Sequence, residues 1–325
     1  MKFLSSLRRD LNLGGHLSTI FVSRVILTVI AMGVAEYGYC SPPECVTDDT
    51  GTKICLLKAP QRIISLAPNL TETVYGLGAQ DLLFGRTARC NRPAEVEKVP
   101  EVGAYLNPDL ERIMALRPDL VLATKPGLRE EIVTRLSGVG IPVFVEDCKS
   151  LEDVCNLVVR LGVLLGRPQE AETVARDIQQ RRVILQEHLR ALQKPSALFA
   201  VGVKPLVVAG GNSFLGSILR EAGGVNIAES SATPYTRFSF EEVLRRDPEY
   251  ILVLDKECKK QECLDYLKRY STLRAVKDGK VRSVDADLVS RPSPRAAEAL
   301  EMIADVLHPG SAISASMQKQ ADSGY

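Results

Sequence analysis

The stretch Glu111-Arg-Ile-Met-Ala-Leu-Arg-Pro118-Asp-Leu-Val-Leu122 aligns without a gap on Glu241-Glu-Val-Leu-Arg-Arg-Asp-Pro248-Glu-Tyr-Ile-Leu252, at a spacing of 130 residues. In each, apolar positions at helical spacing give way to a proline and then to a continuous apolar run. Proline stops a helix and disfavours helical backbone just before it, so each stretch predicts a short helix turning straight into a buried strand. Any αβ unit with a proline stop can look like this once. Its recurrence predicts two lobes of similar construction. Glu111 and Glu241 then hold equivalent first-turn positions, where the helix dipole favours a carboxylate and the side chain faces solvent. One such acid from each lobe suits a two-fold symmetric partner with two matching basic pockets.

Around these units the chain alternates strand and helix signals. Residues 62–67, 82–85, 120–123 and 143–145 read as buried strands, with helical spacing over 71–77, 107–116 and 129–139. A second set follows: strands over 197–201, 206–208, 250–254 and 281–284, and helices over 215–222, 240–246 and 295–307. Such alternation predicts an α/β protein with mostly parallel sheets. Between the sets, 168–193 runs without Gly or Pro after Pro168, and Ala171, Val174, Ile178, Val183, Leu185 and Leu189 recur near helical period. At about 1.5 Å per residue this is a rod of about 37 Å, long enough to join two lobes and stiff enough to resist wide opening. The expected fold is therefore two Rossmann-like lobes, 59–165 and 195–308, joined by a single long helix over 166–194, with a ligand cleft between them.

The first forty residues differ from the rest. Lys2, Arg8, Arg9 and Arg24 precede an uncharged apolar run over 25–35. The run is about half of the roughly 20 residues that span a bilayer, so residues 1–40 read as a signal peptide, with an uncleaved membrane anchor as the other possibility. Cys40 invites a lipoprotein reading, although Tyr39 stands where a lipid-attachment box wants a small residue. Eight cysteines in an exported chain point to disulfides. Cys45 and Cys55 flank Asp49-Thr50-Gly51 symmetrically, the pattern of a bridged hairpin over 41–58. Cys148 with Cys155, and Cys258 with Cys263, are local candidates. No C-x-x-C spacing supports thiol redox chemistry. The tail over 309–325, rich in Ser, Ala and Gln, predicts disorder.

Composition narrows the function. With 41 Lys plus Arg against 40 Asp plus Glu, the formal charge of +1 gives no footing for nucleic acid. His16, His188 and His308 lie too far apart for a zinc or haem pair, and no metal site is expected. There is no phosphate loop, nucleophile elbow or dinucleotide fingerprint, and Gly210-Gly211-Asn212-Ser213 reads as a tight turn. No catalytic residue and no cofactor are expected. What remains are residues at strand ends and in loops, where doubly wound lobes take their ligands: Pro68, Asn69, Arg89, Cys90 and Tyr105 from the first lobe, and Phe214, Tyr235, Phe238 and Arg291 from the second. Facing one another across a cleft, these would suit a large, partly apolar solute, with Arg291 supplying charge or hydrogen bonds.

The ordered motifs resemble a known family. Arg62-Ile-Ile-Ser-Leu-Ala-Pro68-Asn-Leu-Thr71-Glu72, Val102-Gly-Ala-Tyr-Leu-Asn-Pro-Asp-Leu-Glu111, Ala222-Gly-Gly-Val-Asn226-Ile, Phe238-Ser-Phe-Glu241 and Ser290-Arg-Pro-Ser-Pro294-Arg are similar to the helical-backbone (class III) solute-binding proteins of ABC importers. The resemblance covers about residues 59–308. It implies a periplasmic receptor, most simply a monomer, with a ligand between its lobes and with Glu111 and Glu241 docking on the permease dimer. Within the family the likeness is greatest to the cobalamin-binding members. Tyr105 and Tyr235 fall on their cleft tryptophans and Arg291 on a cleft arginine, which implies a corrinoid as the transported ligand. Cys90-Asn-Arg-Pro departs from their Tyr-Pro-Pro loop. A ferric siderophore or haem receptor of the same build is the alternative reading, and a periplasmic α/β enzyme the second.

Overall fold

The computed structural model describes residues 44–256 and 265–311. The expected signal peptide, Cys40, Cys258, Cys263 and the tail beyond residue 311 lie outside the described residues. No described helix is long and apolar enough to cross a membrane.

The described chain opens with a hairpin, β1 (Glu44–Thr47) and β2 (Lys53–Leu56), in which Cys45 opposes Cys55 and is bonded to it. The Asp48 N–H donates to Thr52 O, leaving Asp49-Thr50-Gly51 as the turn, with Gly51 at φ +84°. The Asp48 carboxylate accepts from the N–H groups of Thr50 and Thr52, which closes the turn locally.

The first lobe is a four-stranded, all-parallel sheet in the order β4 (Leu83–Arg86), β3 (Ile63–Ser65), β7 (Leu120–Thr124), β8 (Val143–Glu146). A two-stranded ribbon, β5 (Gly103–Ala104) with β6 (Asn107–Pro108), sits in its β4–β7 connection. Strand β8 would leave an open edge, which invites unwanted pairing. The hairpin turn covers part of it: Asp49 N–H donates to Val145 O, Val145 N–H donates to Asp48, and Arg160 binds Asp49 at 2.7 Å.

The second lobe has β9 (Ser196–Val203), β13 (Tyr250–Leu254) and β14 (Val281–Val284) in parallel, with β11 (Val225–Asn226) also parallel on β9. β10 (Leu206–Ala209) returns antiparallel on β9 and carries β12 (Tyr235–Arg237). Between the lobes, the chain runs through the helix Leu151–Leu164 into the helix Pro168–Leu189, whose 22 residues span about 33 Å.

Strand alternation divides the core. Ile63, Leu120, Leu122 and Phe144 of the first sheet and Ala197, Phe199, Leu252 and Leu254 of the second belong to one continuous core, together with the helices Leu151–Leu164, Pro168–Leu189, Phe214–Glu221 and Ala296–Leu307. Their strand neighbours point the other way. Ile64, Val121, Val143 and Val145 form a separate outer core in the first lobe, and Leu198, Ala200, Ile251 and Val253 another in the second. The two proline units sit on these outer faces through Ile113 and Val243. In both units the residue before the proline is left-handed, Arg117 at φ 47° and Asp247 at φ 39°. Each ends its helix as a cap, its N–H donating back to Met114 O and Val243 O respectively.

Cys148 and Cys155 are not bonded to each other, which corrects the expectation of a local bridge. Cys148 follows the end of β8, with its N–H donating to Glu146, whereas the Cys155 thiol faces Ala175 O and Gln179 on the long helix. Burial, and then the nearby Glu146 carboxylate, pushes the Cys148 thiol well up, so it stays protonated and unreactive. Non-reducing peptide mapping should find Cys45 linked to Cys55. Cys90, Cys148 and Cys155 should be alkylated only after denaturation, and a Cys148–Cys155 peptide would contradict the arrangement.

Candidate functional site

In the first sheet, β3 connects outward to β4 on one side and the chain then crosses to β7 on the other. The strand order reverses at β3/β7, and a crevice opens beyond the carboxyl ends at such a reversal. Four of the expected residues gather there. Ser65 ends β3, and Pro68 opens the helix Pro68–Gly76 two residues beyond Leu66. Asn69 is buried, and its Nδ2 donates to Glu146 Oε1 at 2.7 Å. Cys90 lies buried beside Thr87 after β4, its Sγ 3.4 Å from Thr87 Oγ1. Arg89 beside it is exposed.

Tyr105 sits at the tip of the β5–β6 ribbon, and its ring lies against Gly127: a Cβ there would come within 2.5 Å of the ring carbon Cζ. The Tyr105 hydroxyl is pushed up to about 12, first by burial and then by the fields of Glu146, Tyr235 and Cys90. Its phenol is therefore neutral, a hydrogen-bond donor, throughout the physiological range. The influence of Tyr235 on Tyr105 shows that an aromatic from each lobe lies within the other's electrostatic range. Tyr235 is held by pairing with Ala209 and stays 48% exposed, yet burial raises its hydroxyl pKa as well. Protein surrounding an accessible ring is what a cleft wall produces.

The remaining expected residues are spread differently. Phe214 is 5% exposed and packs into the shared core at the start of its helix. Phe238 is half-buried under the Arg246 guanidinium, 5.3 Å from the ring centre. Glu111 and Glu241 are both exposed, each the second residue of its helix (Leu110–Ala115 and Phe240–Arg246).

Arg291 is 7% exposed, and its donors are directed at protein. Nη1 donates to Glu72 at 2.6 Å, while Nη2 donates to Asn91 at 2.9 Å and pairs with Asp287 at 2.7 Å. Glu72 also accepts from Ser293 Oγ, and Lys256 pairs with Asp287. The segment 290–295 thus forms a strap from the second lobe across the helix Pro68–Gly76. Asn69, Glu72 and Gly76 share one face of that helix and meet Pro292, then Arg291 with Ser293, then Pro294. Two acids balance two bases, so the buried charges of the strap are compensated.

Glu146 is a site residue that the sequence reading missed. It is 1% exposed at the end of β8, holding Asn69 and the Cys148 N–H. The only available signal was an acid closing the apolar run Val143-Phe-Val-Glu146. The residues Asp49, Glu146 and Cys148 bring potential metal-ligand atoms within 4.8 Å of one another, but the Arg160 guanidinium on Asp49 opposes a cation there. A cavity of about 510 Å³ lined by Leu56, Leu57, Pro60, Asp119, Ile141 and Pro142 lies elsewhere. Asp119 and Pro142 directly precede β7 and β8, so this cavity is at the amino ends of the strands, the end where such sheets do not bind ligands.

Two α/β lobes on one helical layer, with a crevice beyond the strand ends of the first, are the architecture of a two-lobed solute-binding protein. The chain belongs to the periplasmic binding protein family, which matches residues 63–288. It is the extracytoplasmic substrate-binding component of an ABC importer, a non-enzymatic transport protein that works with a permease and a small-molecule ligand. The vitamin B12-binding protein of Pectobacterium atrosepticum is 31% identical over 265 residues, covering 79% of this chain and 93% of that one. Among solved structures, the periplasmic vitamin B12 binding protein BtuF of Vibrio cholerae superposes with a TM-score of 0.69 at 25% identity, covering 80% of this chain and 99% of that one. A periplasmic heme binding protein from Pseudomonas aeruginosa gives 0.70 at 27% identity, covering 77% and 94%.

Removing one member of a buried ion pair strands the other, at a typical cost of about 3–5 kcal/mol. Arg291→Ala should lose about that much in urea unfolding near pH 7. The pH dependence has a definite sign. Burial raises the Asp287 carboxyl, but the Lys256 hydrogen bond and the Arg291 charge outweigh it and the net shift is downward. Its contribution is present above the unfolded value of about 3.9 and is lost as pH falls through the lower folded one. The gap between wild type and Arg291→Ala should therefore shrink below about pH 4; a gap independent of pH would contradict the network.

Proposed function

We propose that this receptor binds a corrinoid in the periplasm as a monomer and hands it unchanged to the permease, docking through Glu111 and Glu241. What supports the ligand assignment is that Tyr105 of one lobe and Tyr235 of the other lie within each other's electrostatic range. A corrin ring is a wide, partly apolar plate with polar amide edges. Two aromatic faces on opposite walls suit the plate. The neutral Tyr105 hydroxyl suits the amide edge, and the buried Glu146 fixes Asn69 at the strand ends. Arg291 takes the role of holding the cleft wall, since both its terminal nitrogens are already engaged.

Haem is the alternative, favoured by the similarity to a heme binding protein. Neither described histidine is available to its iron in the cleft set: His188 lies on the long helix against Ile184 O, and His308 against Ala222 O at the end of the last helix. That weighs toward the corrinoid. Calorimetry of the mature chain against cyanocobalamin, cobinamide, hemin and a ferric hydroxamate should give micromolar or tighter affinity for the corrinoids. Tyr105→Ala with Tyr235→Ala should weaken it by about 10–100-fold, at about 0.7–1.4 kcal/mol per aromatic contact. Gly127→Ala, which displaces the Tyr105 ring, should fall between. Tight hemin or ferric-chelate binding with no corrinoid heat would overturn the assignment.

A further inference from the structure

We propose that each permease-facing surface is a carboxylate with an aliphatic companion, Glu111 with Met114 and Glu241 with Leu244, read by a symmetric partner whose two basic pockets each carry an apolar wall. This rests on the docking role given above to the two glutamates and adds the residues that complete it.

The two helices are mounted in the same way. Asp109 caps the first by accepting from the Arg112 N–H at 3.1 Å, and Ser239 caps the second by accepting from the Glu242 N–H at 3.2 Å. Each helix leaves through a left-handed residue, Arg117 or Asp247. Each following strand is then pinned by one bond of equal length: Asp119 N–H to Arg62 O, and Glu249 N–H to Ser196 O, both 2.9 Å. Glu111 and Glu241 are thus held alike on the outer faces of two sister sheets.

Neighbouring cations leave both acids without an ion pair, although the Glu241 carboxylate also accepts hydrogen bonds from Ser239 and its own N–H. Arg112 is paired with Asp109 at 3.2 Å, and Arg245 with Glu242 at 2.7 Å; Arg246 is paired with Glu242 as well. Neither Glu111 nor Glu241 joins an ion pair among the described residues. An unpaired acid whose neighbours are satisfied is open to an external cation.

Met114 and Leu244 stand three positions beyond these acids, on the same helix face. They are 38% and 39% exposed. A single exposed aliphatic residue is ordinary. Two at repeat-equivalent positions, equally exposed and each beside an exposed carboxylate that joins no ion pair, match the composition of an interface element in which apolar contact excludes water from a charge pair.

The test measures binding of the full mature chain to its own ABC importer in lipid nanodiscs, with solute affinity and melting temperature followed in parallel. Met114→Gln and Leu244→Gln should each weaken importer binding about fivefold and together about 25-fold, the loss of one modest apolar contact per side. Solute affinity and melting temperature should not move. The swap Met114→Leu with Leu244→Met should bind like wild type. A double Gln variant within twofold of wild type, or an effect confined to one lobe, overturns the proposal. If Glu111→Ala with Glu241→Ala abolishes binding in that case, the docking reading survives alone; if that variant also binds normally, both fall.

Discussion

Both sheets turn one face onto the same helical layer, and the spatial relation of the lobes depends on that shared burial. Ile178, Leu185 and Leu189 of the long helix are buried among Leu157 and Leu161 from the first lobe's side and Leu219, Leu300 and Ile303 from the second's. Each fully buried aliphatic side chain contributes about 1.5–3 kcal/mol. Swinging the lobes wide apart would expose several together. Polar ties act in the same direction: Arg182 reaches both Glu152 and Glu221, and Arg181 holds Glu301. The helix is therefore the middle of a core, with neighbours along its length.

The strap adds a second connection on the other side of the first helix. It joins elements more than 200 residues apart through Glu72, Arg291 and Ser293. Core and strap together set the distance between the walls that carry Tyr105 and Tyr235. This division of labour places function on the surfaces the core leaves free. In the proposed function the strand ends face the solute, and the outer faces carry the repeated acidic helices. Both depend on a frame that keeps the two lobes in fixed relation.

Much of this frame was legible in the sequence because it is written in local periodicity. The run after Pro168 and the Cys45–Cys55 hairpin follow from spacings within about 25 residues, and the repeat from two twelve-residue stretches with the same local pattern. The repeat reaches further than its twelve aligned positions, since Tyr105 and Tyr235 are also 130 residues apart. What was not legible are choices made by distant partners. Nothing near Arg291 announces Glu72 at a separation of 219, so its chemistry alone could not separate a ligand contact from a strap. Glu146 carries no mark beyond closing a short apolar run. Cys148 and Cys155 have a plausible spacing, yet one thiol belongs to a strand end and the other faces the long helix. Pro118 and Pro248 announced a helix stop, but the left-handed caps before them arise from how each helix closes, a feature that a proline rule biased toward extended backbone does not contain.

The central claim is that core and strap hold the lobes in nearly one arrangement with or without solute. Spin labels at Arg135→Cys on the first lobe and Lys277→Cys on the second, both exposed positions, report that separation directly by pulsed electron double resonance. The account expects one narrow distance distribution that shifts by no more than a few Å when solute saturates the protein. A broad or two-peaked distribution in the free protein, collapsing by about 10 Å or more on binding as in hinge closure, would contradict it.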